Sequence, residues 1–335
     1  MTLRGPLPLI PAALFGIVLG LSGLGGCWRL AHRLWGLPAA IGEIIIAAST
    51  IVWVILIVLY VAKWISARPA AIAELGHPVQ CCFVGLIGVA TMLIANGVLP
   101  YSRPLSAVIF AAGALFTLGF ALWRTGLLWR GARDVSDSTA ILYLPTVAGT
   151  FVTGIVASAL GLPDWGALAF GAGFFSWLAI ESVLLHRLYT GPILPAPLRP
   201  TLGIQLAPPA VGAVAYLAAS GSPPGGSPPD ILVHAMLGYG LLQALLLLRM
   251  LPWLREQPFA PSYWAFTFGA TALAAAPMIM LTRGDHGAIA IIAPVLFLAA
   301  NIVVGLIAVG TVKLIIEGRL LPKPAPLRPM PIAAS

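Results

Sequence analysis

The chain has 335 residues, 60% of them hydrophobic and only 8% charged, with a mean hydropathy of +1.00. A soluble domain of this length carries about a quarter charged residues, so the composition excludes a soluble globular protein and points to one polytopic membrane domain. The formal net charge of +8 is no sign of nucleic acid, because basic residues collect in the cytoplasmic loops of membrane proteins.

Ten apolar segments follow one another. The first, 12–28, is rich in glycine: Gly16, Gly20, Gly23, Gly25 and Gly26. Arg4 before it and Leu24-Gly25-Gly26-Cys27 at its end imitate a lipoprotein signal. With a full polytopic chain after Cys27, this reads as a chance match. The second segment is 41–65 and the third, 79–98, holds Cys81, Cys82, Gly85 and Gly88. The fourth is 104–129, the fifth 141–160 with Pro145, and the sixth 165–188 with Glu181. The seventh, 203–219, contains Pro208 and Pro209, and the eighth is 231–254. The ninth, 262–281, is twenty residues without a charge, about what a helix needs to cross a bilayer core of roughly 30 Å. One of its faces carries Ala265, Phe268, Thr271, Ala272, Ala275 and Ala276. A single phenyl ring thus stands in a row of small side chains, either packed between helices or placed as a plug. The tenth segment is 287–316. We expect one membrane domain over 1–320 and a disordered proline-rich cytoplasmic tail over 321–335.

Basic residues orient the bundle. Arg4, Lys63, Arg68, Arg124, Arg130, Arg133, Arg187, Arg199, Arg249, Arg255, Lys313, Arg319, Lys323 and Arg328 fall on one side, and only Arg29, Arg33, Arg103 and Arg283 on the other. The asymmetry predicts a multi-pass cell-membrane protein with both termini in the cytoplasm. The odd-numbered segments contain no Asp, Glu, Lys or Arg within these bounds, whereas the even ones carry Glu43, Lys63, Arg124, Glu181, Arg187, Arg249 and Lys313. Interior prolines in the odd set predict kinks, which are tolerated where protein or a water-filled cavity satisfies the freed carbonyls. Arg124 lies about five residues and Glu181 about seven from the inner ends of their segments, roughly 8 and 10 Å at 1.5 Å per residue. These matched depths predict a structural charge pair.

Catalytic chemistry finds no foothold. The three cysteines and five histidines show neither disulfide nor metal spacing. There is no phosphate loop and no nucleophile elbow, so neither enzyme activity nor a metal or other cofactor is expected.

Several motifs, in order along the chain, resemble one family. They are Leu14-Phe15-Gly16 with Leu19-Gly20-Leu21, Tyr143-Leu144-Pro145, Phe170-Gly171-Ala172-Gly173, Glu181 with Val183-Leu184-Leu185, and Leu206-Ala207-Pro208 with Tyr216. They continue with Gly238-Tyr239-Gly240, Leu248-Arg249, Leu251-Pro252-Trp253 and Trp264-Ala265-Phe266-Thr267-Phe268-Gly269. This set is similar to the tellurite-resistance/dicarboxylate transporter family, which includes the slow-type anion channels of plant guard cells, fungal malate permeases and fungal sulfite pumps. The resemblance implies an all-α integral membrane fold of ten transmembrane helices. They form five helical hairpins around a central pore, with odd helices inside and even helices outside. It also implies a homotrimer with one pore per subunit, occluded by a phenylalanine that corresponds here to Phe268. Gly16, Gly20, Gly88, Pro145, Pro208, Ala265, Thr271 and Ala272 are then the candidates to line the pore. Where the family often has prolines in helices 1 and 3, this chain has Val18 and Gly88, which leaves those kinks open.

A pore of uncharged helices cannot hold an ion by a fixed counter-charge, but weak, multiple interactions suit passage. The expected function is an anion channel or channel-like permease in the lipid bilayer, passing small anions past the Phe268 gate. The alternative is a coupled transporter of four-carbon dicarboxylates, sulfite or tellurite-type oxyanions, for which Glu181 would be the one acidic candidate deep in a helix.

Overall fold

The computed structural model describes residues 8–131, 134–221 and 231–321. The described residues form no strand, and ten helices among them are long and apolar enough to cross a membrane. We label them α1 (Ala12–Trp35), α2 (Ala39–Ser66), α3 (Gln80–Val98), α4 (Arg103–Leu128), α5 (Ala140–Ala159), α6 (Pro163–Thr190), α7 (Ala196–Ala219), α8 (Ile231–Arg249), α9 (Pro261–Thr282) and α10 (Gly287–Ile316).

Burial sorts the helices by parity. The most apolar stretches of the odd helices are 50% to 83% buried, and those of the even helices only 22% to 33%. Each odd helix packs against the even helix that follows it, and the odd helices also pack on one another. The odd helices therefore form the inner layer. The even helices turn side chains such as Ile55, Leu115, Phe175, Leu245 and Leu306 outward, as lipid-facing surfaces require.

The two layers also differ along their axes. Every even helix is one α-helical run. Every odd helix begins as a tighter or wider coil and becomes α-helical part-way: at Gly16, Gly85, Gly149, Ala207 and Thr267. The opening turns are 3-10 in α1, α3, α7 and α9. In α5 the opening includes a π-turn at Leu144–Ala148, where Pro145 supplies no N–H to the ladder. The missing prolines in α1 and α3 thus do not abolish the change of coil, which falls at Gly16 and Gly85 instead.

Three sequence expectations need correction. The first helix does not stop near Trp28 but runs to Trp35. It ends where Gly36 adopts φ 68° and donates its N–H to the His32 carbonyl, a left-handed cap that glycine accepts without strain. Arg29 and Arg33 therefore belong to an inner helix, and the 3-10 opening of α7 brings in Arg199. The inner layer is not free of charge; its charges sit at the helix ends, which hydropathy alone had trimmed away.

The expected pair between Arg124 and Glu181 does not form. Glu181, 7% exposed, accepts hydrogen bonds from the Tyr143 hydroxyl, Trp177 Nε1 (2.9 Å), the Tyr239 hydroxyl (2.6 Å) and Gln243 Nε2 (3.5 Å). Four neutral donors from α5, α6 and α8 do what one cation was expected to do. Arg124 instead donates to the Pro78 carbonyl at 3.1 Å. Equal depth did not make the two groups neighbours.

The buried ion pair of α2 is instead Lys63 with Glu74 at 2.8 Å. Glu74 lies on a short helix, Arg68–Gly76, and also accepts from Tyr60 and the Ala12 N–H, pinning the start of α1. The proline-rich tail lies, from residue 322 on, outside the described residues.

Candidate functional site

The inner layer encloses a cavity of about 690 Å³. It opens at the end of the bundle opposite the first and last described residues. All five odd helices wall it, and the deepest lining residue of each is Ser22, Leu93, Ile155, Val211 and Phe268. Phe268 has the largest side chain of this ring. It lies one residue beyond the change of coil in α9, closer to it than any other member of the ring. From Phe268 the cavity follows α9 through Thr271, Ala272, Ala275 and Ile279 to Arg283, about 22 Å at 1.5 Å per residue.

The floor is held by a close crossing of α1 on α9. A Cβ on Gly23 would lie 2.2 Å from Thr271 Oγ1, and one on Gly20 would lie 2.3 Å from Thr267 Oγ1. Only a missing side chain lets the two backbones approach this far. Cys27 Sγ donates to the Thr271 carbonyl at 3.2 Å, and Thr271 Oγ1 to the Phe268 carbonyl at 3.0 Å. The backbone beside Phe268 is thus tied to α1. Phe266 faces elsewhere: its ring fills the space a Cβ on Gly203 would need and stacks with Tyr263.

The mouth is polar and positively charged. Arg29 makes a two-pronged contact with Glu43 at 2.8 and 2.7 Å and also donates to the Gly97 carbonyl. The Tyr101 hydroxyl donates to the same carboxylate. Arg283, 8% exposed, donates to the Leu217 carbonyl and, at 2.9 Å, to Ser220 Oγ; burial pulls its pKa below the usual arginine value. Arg33 stands exposed at the lip. Three guanidinium groups therefore face one carboxylate in the lining. A concave, low-dielectric surface of that balance raises the local concentration of anions.

The structure divides the sequence candidates. Phe268, Thr271 and Ala272 line the cavity; Gly16, Gly20, Gly88, Pro145, Pro208 and Ala265 do not. Gly20 serves the crossing just described, and Gly16 faces Trp264. Gly88 turns outward to α4, where a Cβ would meet Thr117 Oγ1 at 2.1 Å and the Gly113 carbonyl at 2.8 Å. Pro145 and Pro208 are buried in the turns where α5 and α7 change coil. The rim residues Arg29, Arg33, Glu43 and Arg283 escaped the sequence reading. Yet a signal was present, since three of the four arginines on the sparsely basic side are these; the fourth, Arg103, caps the Leu160 carbonyl at 2.5 Å. No group of three or more His, Cys, Asp or Glu able to hold a metal occurs among the described residues.

Comparison with known proteins bears on the same chain length. The family model described as SLAC1, voltage-dependent anion channel, matches residues 10–312. The chain is 31% identical over 324 residues to the tellurite resistance protein TehA homolog of Haemophilus influenzae, covering 96% of both chains. It is 25% identical over 280 residues to the guard cell S-type anion channel SLAC1 of Arabidopsis thaliana, covering 79% of this chain and 49% of the plant protein. To the S-type anion channel SLAH2 of the same plant it is 24% identical over 278 residues, 79% of this chain and 51% of that one.

Proposed function

Because the chain belongs to the voltage-dependent anion channel family, we propose that it conducts small anions along the axis of α1, α3, α5, α7 and α9, with Phe268 as the occluding gate. The observation that carries this reading is the cavity itself: five inner helices wall it, positive charge rims it, and one phenyl ring is the largest group on its floor. Anions gathered at the mouth meet an uncharged path, where no fixed counter-ion holds them back. The barrier is then steric, and displacement of one ring opens it.

In this reading the cavity faces the outside of the cell and both termini lie in the cytoplasm. The ten helices act as one conducting unit, and three such units assemble, each with its own pore. A proton-coupled mechanism would need an ionisable group at mid-depth. The ionisable groups that line the cavity are Arg29, His32, Arg33, Glu43 and Arg283, all near the mouth, and Glu181 is enclosed between α5, α6 and α8. We therefore favour passive flux.

Proteoliposome flux of chloride, nitrate, malate and sulfite, with and without a pH gradient, tests the proposal. The expected result is uptake that follows the anion's own electrochemical gradient. Saturable malate flux that collapses with the proton gradient would replace this reading with coupled transport.

A further inference from the structure

A second, much smaller cavity lies near the end of the bundle that carries the first and last described residues. It measures about 10 Å³. Ser138, Thr139, Arg187, Thr201 and Gln205 line it with apolar neighbours, Thr201 donating its hydroxyl to the Leu198 carbonyl, and none of these residues lines the larger cavity. It therefore sits where the end of α6 meets the starts of α5 and α7.

Arg187 is 3% exposed, and no Asp or Glu forms an ion pair with it among the described residues. Its Nε has no hydrogen-bond partner. Two further polar atoms of the same lining are also unpartnered: Thr139 Oγ1 and Gln205 Oε1. A buried guanidinium without a counter-charge is costly, and charges within membrane helices are normally paired. The nearest carboxylate on the same helix, Glu181, is engaged by Tyr143, Trp177, Tyr239 and Gln243.

We propose that this cavity is a halide site, in which one chloride-sized anion neutralises Arg187 and bridges α5, α6 and α7. The volume is close to the least that holds one water; chloride, slightly larger, enters with small outward shifts of the lining side chains, whereas sulfate, phosphate and carboxylic acids are too large. The donors are the guanidinium, the Thr139 hydroxyl and the Gln205 amide. The amide presents its NH₂ once its oxygen and nitrogen are exchanged, a choice that the occupant of the cavity decides. The ion held here is structural: it does not pass, and it locks three helices at the end away from the mouth. The proposal stands apart from conduction, since a protein that fails to conduct can still hold this ion.

Two measurements on the full chain decide it. Crystals grown in sodium bromide should give an anomalous peak between Arg187, Thr139 and Gln205, absent from crystals grown in sodium gluconate. A water at that position without anomalous signal, or bromide only in the large cavity, would overturn the site. In detergent at constant ionic strength, replacing gluconate by chloride should raise the thermal midpoint of the native protein. That rise should be lost in Arg187→Gln and in Thr139→Val. An equal rise in native protein and in Thr139→Val, which keeps the charge and the shape, would refute the proposal even if Arg187→Gln does not fold.

Discussion

Phe268 and Phe266 are two residues apart in one helix, and the structure gives them different surroundings: the cavity floor for one, Gly203 and Tyr263 for the other. Single-channel or flux recordings should therefore separate them. Phe268→Ala is expected to raise anion conductance in a protein that still folds, and Phe266→Ala to leave conductance low while costing about 3–5 kcal/mol of stability, as large-to-small core changes do. A gain at Phe266, or equal effects at both, would put the wrong ring on the path. The row of small residues around Phe268 was legible in the sequence as a local pattern that left a packed ring and a plug both open, and the family resemblance singled the ring out. The partners of Glu181 were not, since Tyr143 and Tyr239 come from α5 and α8 and no spacing announces them. Their arrangement carries its own test. Tyr143→Phe removes a hydrogen bond to a carboxylate, at a cost of about 1.5–3 kcal/mol. Glu181→Leu, which strands the Tyr143, Trp177 and Tyr239 donors together, should lower the thermal midpoint in detergent more than Tyr143→Phe does. A Glu181→Leu protein as stable as native would show that the cluster is incidental.

Among elements, the crossing of α1 on α9 is the contact closest to the floor. Gly23→Ala would drive a methyl into Thr271, and overpacking of this kind costs about 1–3 kcal/mol. Adding Thr271→Ala removes the hydroxyl and the methyl but keeps the Thr271 Cβ, 2.9 Å from the new methyl, so the double variant should recover part of the loss in a thermal-stability cycle. No recovery would mean that the backbones themselves had moved apart. The ten helices were legible because hydropathy over about twenty residues is a strong signal, and the ordered motifs were enough to identify the family. The change of coil inside each odd helix was not, because proline marks only some of these places. At Gly16 and Gly85 the chain changes coil on a glycine, a residue equally common in the even helices. The ends of α1 and α7 were misjudged for a related reason: a helix that outruns the apolar core carries charge without ending.

For the whole molecule, the asymmetry of basic residues predicts which end faces the cytoplasm. A cysteine at Asp164, in the first turn of α6, should react with an impermeant reagent from outside intact cells, and one at Asp137 should not; the reverse pattern would invert the bundle. The same asymmetry also misled. Arg29, Arg33 and Arg283 counted as exceptions to the positive-inside rule, yet they are the three guanidinium groups of the mouth. A rule about loops has no term for charge retained on helix ends to serve a cavity.

The two ends of the proposed conducting axis are therefore unlike: one is a wide basin with an excess of positive charge, and the other begins beyond the Phe268 ring. An ion arriving from the basin side starts from a locally enriched pool, whereas one arriving from the other side does not. With Phe268→Ala open in symmetric solutions, the current–voltage curve should bend, passing more anion inward from the basin than outward. The Debye length falls from about 8 Å at physiological ionic strength to about 3 Å at 1 M, so concentrated salt should straighten the curve. Replacing Arg33 and Arg283 by glutamine should straighten it at low salt as well. Rectification that ignores both salt and these two arginines would have to originate below the floor, not in the charged rim.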